Sequence, residues 1–141
     1  MKRVVLALIV LAVFATGTYA QDCDCAPWVW VRESGALHTF KEGSDELRYG
    51  MLDTEATVLI MEEQYWAAIE KYKKMIEIED CLPNPFNMIA VCYMELDMKY
   101  QAMEYYKKAC DRVECRYKKS DNPNYDPCKK YENLRLELLG Y

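Results

Sequence analysis

Apolar residues recur at three- and four-residue spacings through Leu47, Met51, Leu52, Ala56, Leu59 and Ile60, so one face of a helix over about 45–61 is apolar. Ser44 offers an N-cap for it, and Asp45 and Glu46 suit the positive end of the helix dipole. A turn near Glu62 and Glu63 leads to a second helix over about 64–79, with Ala68, Ile69, Tyr72, Met75 and Ile76 inward. Asp80 to Pro85 interrupts the pattern, because proline removes a backbone donor and disfavours helical geometry in the residue before it. The spacing then predicts a third helix over 86–96 and a fourth over 98–113.

The pattern repeats. EQYWAAIEKYKKMI, beginning at Glu63, and DMKYQAMEYYKKAC, beginning at Asp97, lie thirty-four residues apart and align without a gap. They agree at Ala68 and Ala102, Glu70 and Glu104, Tyr72 and Tyr106, and at lysines 73/74 and 107/108. Self-similarity at that period is the mark of stacked helix pairs, each burying the face its neighbour leaves open. In the second unit Phe86, Ile89, Ala90, Tyr93, Ala102, Tyr106 and Ala109 run large, large, small, large, small, aromatic, small. This resembles the tetratricopeptide repeat (TPR) family, with units over about 49–82 and 83–116. Small residues let helices approach closely, and large ones fill the space between pairs. The first unit is weaker: Glu55 stands where the family has a large apolar residue and Met75 where it has a small one. The family's proline near the end of each unit is replaced by Asp80 and Glu114.

Beyond Arg116 the period fails. The segment over 118–127, rich in Ser, Asp, Asn and Pro, reads as a loop. A last helix over about 126–139 has Cys128, Tyr131, Leu134 and Leu138 on one face and Gly140 as its stop, and it is similar to the capping helix that closes repeat stacks. The expected fold is therefore all-α: an antiparallel helix-pair, TPR-like solenoid of two repeats with a capping helix, spanning 45–141. Two repeats are fewer than such arrays usually need, and disulfides supply about 2 to 4 kcal/mol each. Cys110 shares a stripe with Ala102, Tyr106 and Ala109, so a Cys110 to Cys128 bridge is expected, with Cys115 to Cys128 as the rival. Cys81 and Cys115 occupy equivalent places in successive units, at least one helix layer of about 8 to 10 Å apart, too far to bridge.

Ahead of the helices, residues 1–20 read as a secretory signal: Lys2 and Arg3, an apolar run over 4–13, and Thr18-Tyr19-Ala20 as a small-residue cleavage site. All seven cysteines lie beyond it, which matches a secreted or periplasmic product in an oxidising compartment. An odd number leaves one thiol over or paired with another molecule. Removing Lys2 and Arg3 takes the formal charge from −5 to −7, which disfavours nucleic acid and anionic membrane as partners. Residues 21–44 form an extension with Cys23-Asp24-Cys25 and Trp28-Val29-Trp30-Val31, whose tryptophans either cover the first helix pair or anchor a partner.

Candidate chemistry is sparse. The sequence has one histidine, His38, and neither a Gly-x-Ser-x-Gly elbow, a phosphate-cradling glycine loop nor a His-based metal motif, so no enzyme, cofactor or metal is expected. The resemblance instead implies a partner groove on the first helix of each unit: Asp53, Thr57, Ile60 and Met61, then Asn87, Met88, Val91, Met94 and Glu95. Of these only Asn87 matches the family's carboxylate-gripping residues, which disfavours a carboxylate ligand. Flexible methionines and acidic rims suit an apolar or basic segment of another protein or peptide. Two other readings stand beside this one: a thiol-disulfide protein using Cys23 and Cys25, and a small structural subunit held in a homo- or hetero-oligomer.

Overall fold

The structure, a computed structural model, describes residues 43–116 and 126–141, and the side chains of Gly43 and of residues 114–116 are not among those described. Five helices follow in order: α1 (Gly43–Met61), α2 (Tyr65–Ile78), α3 (Pro83–Glu95), α4 (Lys99–Arg116) and α5 (Pro127–Leu139). Among the described residues there is no strand. Two helix starts differ from the sequence expectation. The helical turns of α1 begin at Gly43, which places Ser44 inside the first turn rather than at the cap. The third helix begins at Pro83 rather than at residue 86, with Leu82 as its extended N-cap. Its prolines sit in the first turn, where no intrahelical N–H is required and the fixed φ suits the helix.

The turns between paired helices are copies of each other. At the end of α1 the amides of Glu62, Glu63 and Gln64 donate to the carbonyls of Val58, Ile60 and Leu59 at 3.0, 3.0 and 2.8 Å. Thirty-four residues on, the amides of Leu96, Asp97 and Met98 donate to Cys92, Met94 and Tyr93 at 3.1, 3.0 and 2.8 Å. Both are Schellman stops, in which a left-handed residue lets its own amide and the one after it satisfy orphan carbonyls of the helix. Glu63 and Asp97 hold that conformation, at φ 59° and 57°, where glycine is usual. The next helix starts alike in both units: Ala68 and Ala102 each donate to the carbonyl four residues back, at 3.0 Å.

The core repeats with the same step. Ala56, Ala68, Ala90, Ala102 and Ala109 are fully buried, and Tyr72 and Tyr106 are buried between the helices they join. Ile69, Met75, Ile89 and Cys92 complete the interior. Each helix packs on the next in sequence, giving two antiparallel helix pairs stacked on one another and a capping helix. The alternation of alanine and tyrosine is the physical reason: deleting bulk at the crossing points brings helix axes to about 8–10 Å, and the tyrosines fill what remains. The apolar face expected of α1 is buried only in part. Ala56 is inside, Leu52, Leu59 and Ile60 are half-buried, but Leu47 is 70% exposed and Met51 and Val58 are also open to solvent. No described helix precedes α1, so its outward side has no neighbour among the described residues.

At the other end α5 is held at both termini. The Asp126 side chain accepts from the Lys129 amide at 3.0 Å and caps the helix. Cys110 on α4 and Cys128 form a disulfide with Cα atoms 4.6 Å apart. At the far end Lys99 of α4 pairs with Glu137 at 2.7 Å. Leu134 packs into the core, Tyr131 and Leu138 pack against it, and Gly140, at φ 79°, closes the helix with a third Schellman pattern.

Candidate protein-binding surface

The candidate residues lie on α1 and α3, on exposed to buried positions that alternate with the core stripe. On α1, Met61 is 72% exposed, Thr57 is exposed, and Asp53 and Ile60 are half-buried. On α3, Met94 and Glu95 are exposed and Met88 and Val91 are half-buried. Asn87 departs from the surface role expected of it, being 4% exposed. Its amide nitrogen contacts the Met88 sulfur at 3.9 Å, and its Oδ1 is buried with no hydrogen-bond partner among the described residues. A buried acceptor left unpaired costs about 1–3 kcal/mol. Asp53 and Asn87 are repeat-equivalent, one unit apart.

Electrostatics adds detail to this surface. Tyr72, on α2, reaches toward α1: burial pushes its phenol up to about 12, hydrogen bonding with Thr57 opposes the shift, and the charge of Asp53 adds to it. Burial also raises the Asp53 carboxyl above its ordinary range. Glu95 is a shared anionic neighbour, raising Tyr65 and Tyr106 in addition to the larger effect of burial on each. Thr57 donates its hydroxyl to the Asp53 carbonyl at 2.9 Å, which leaves its oxygen to accept from the Tyr72 hydroxyl. The surface thus offers carboxylates and acceptor oxygens between exposed methionines. The sequence reading placed Tyr72 in the core and missed its polar end; the signal was that Tyr72 comes from the second helix of the same pair and carries a hydroxyl that a buried ring must satisfy.

The cysteines divide into kinds. Cys110 and Cys128 are bridged, and Cys81 is disulfide-bonded as well. Cys92 is free and fully buried, with burial pushing its thiol up to about 11. Such a thiol is protonated and shielded, the opposite of a reactive nucleophile. The Cys81 sulfur lies with carboxylate oxygens of Glu79 and Asp80 within 4.8 Å, but its disulfide removes the thiolate a cation would need. The segment over 1–20 expected to be a secretory signal, the expected extension with Cys23, Cys25, Trp28, Trp30 and His38, and residues 117–125, expected to be a loop, lie outside the described residues. Cys115 falls within α4, but its side chain is not described. Among the described residues no helix is long and apolar enough to cross a membrane. No protein-family model matches the chain, and no curated protein matches it.

Proposed function

We propose that the chain is an exported, non-enzymatic interaction module of the TPR kind, which receives a basic or apolar segment of another polypeptide on the α1 and α3 surface. The observation that carries this reading is the combination of a desolvated Asp53 carboxyl and a buried, unpartnered Asn87 oxygen at equivalent positions of adjacent units. A donor-bearing partner would relieve both, since a cation lowers the cost of a desolvated carboxylate and an N–H satisfies an orphan acceptor. The exposed methionines supply adaptable apolar contact around them. Two disulfide-bonded sites support an oxidising, exported setting.

The test is Val91→Lys, which puts a charge between Asn87 and Glu95 on α3 while leaving the buried stripe intact. A partner cross-linked to the protein in its native secretory compartment is identified by mass spectrometry, and its contacting segment is synthesised. Binding of that segment should weaken by tenfold or more in the variant, with helical circular dichroism unchanged. Undiminished binding removes the surface from consideration.

A further inference from the structure

On the side of the molecule formed by α2 and α4, both helices pack with α3, whose Phe86 forms the floor of a furrow between them. The furrow has a volume of about 480 Å³ and is lined by Lys73, Ile76, Asp80, Phe86, Tyr105, Lys108 and Arg112. Among the lining residues three cations, Lys73, Lys108 and Arg112, face one carboxylate, Asp80, while Glu70 and Glu104 pair with the two lysines from outside the lining. We propose that this furrow is a binding site for an oxyanion of the phosphate or sulfate class.

Arg112 supplies the fixed point. Its guanidinium lies 3.7 Å from the centroid of the Phe86 ring, Nε donates to the Asp80 carbonyl, and Nη1 donates to the Lys108 carbonyl at 3.0 Å. Of its five N–H groups two are engaged in these contacts, which orients the remaining three without side-chain motion. Burial pulls the Arg112 pKa down, with Asp80 and Asp111 only offsetting it, so the cation is desolvated ahead of any ligand. Lys108 lies 4.5 Å above the Tyr105 ring and pairs with Glu104 at 2.8 Å, and Lys73 pairs with Glu70 at 2.8 Å. Each is an exposed pair within a single helix, of marginal worth in water, so a doubly charged ligand displaces it at small cost. A tetrahedral oxyanion spreads its oxygens out of one plane, which suits donors arriving from two helices better than a planar carboxylate does. The volume exceeds what a bare oxyanion needs and leaves room beside Tyr105 for an aromatic group carrying it.

The experiment follows the backbone amide resonances of the full chain during titration with inorganic phosphate, and in a second arm with phosphotyrosine, at ionic strength held constant with sodium chloride. Saturable shifts centred on residues 73, 105, 108 and 112 are expected. Tighter binding of inorganic phosphate identifies the free ion as the source, and tighter binding of phosphotyrosine identifies a modified side chain. Lys73→Gln combined with Lys108→Gln should weaken either response at least tenfold, and Lys108→Gln alone gives the same direction should the double variant not fold. Lys74→Gln, at an exposed neighbouring lysine outside the lining, should leave it unchanged. Shifts no different from those of chloride alone, or a response retained in the lysine variants, would overturn the assignment.

Discussion

Glu63 and Asp97 carry a conformational cost that their sequence positions do not relieve. A side chain at positive φ crowds the adjacent carbonyl, and glycine there avoids about 1 kcal/mol of strain. Glu63→Gly and Asp97→Gly should therefore each raise the free energy of unfolding by about 1 kcal/mol, read from urea midpoints. A loss of stability in both would mean that the carboxylates hold the turn by contacts that outweigh the strain. Buried groups shape the response to alkali, Cys92 and Tyr72 with the largest shifts and Tyr93 and Tyr106 in the same direction. Cys92 is raised from 9.0 to about 11 and Tyr72 from 10.0 to about 12, so above pH 9 the unfolded chain releases protons that the folded chain retains. Stability is complete below that pH and falls as pH climbs through the window to about 12. A lower urea midpoint at pH 10.5 than at pH 8, with the difference reduced in Cys92→Ala, is the expected result; equal midpoints would show that these groups ionise as freely when folded.

The helices were legible in the sequence where alanine and tyrosine recur, because the spacing that marks a buried stripe is the spacing that packs it. The ends were less legible. Pro83 and Pro85 read as a break, yet they serve as the first turn of α3, since the same missing N–H that ends one helix costs nothing at the start of another. The buried place of Asn87 was also hidden, because a polar side chain on a helix beside Met88 carries no mark of which neighbour covers it. The cations of α2 and α4 stand among glutamates in the sequence with nothing to single them out, and only the fold brings Arg112 of α4 onto Phe86 of α3. At this scale the disulfide is decisive for α5. Closing eighteen residues of chain between Cys110 and Cys128 is worth about 3 kcal/mol on the loop-entropy model. Cys128→Ser should destabilise the chain by about that amount, and amide exchange in residues 127–139 should accelerate more than in α2 or α3. Equal protection of α5 in the variant would show that Leu134 and the Lys99–Glu137 pair hold it unaided.

For the molecule as a whole, the two helix pairs present two unlike sides. The α1 and α3 surface carries Asp53, Glu95 and exposed methionines, whereas the α2 and α4 furrow collects Lys73, Lys108 and Arg112. Substitutions on one side should leave the other's binding intact, because effects at separate sites add. Val91→Lys should thus leave phosphate titration of the furrow unchanged, and Lys73→Gln with Lys108→Gln should leave polypeptide binding unchanged; mutual interference would mean that the two sides communicate through α3. The fastening of α5 has a further consequence for how such a stack can lengthen. A covalent bolt at one terminus and an ion pair at the other keep that last wall in place, while Leu47, Met51 and Val58 leave the outward side of α1 without a lining among the described residues. A layer laid beside α1, from this chain or another, would therefore dry surface that the stack itself leaves wet.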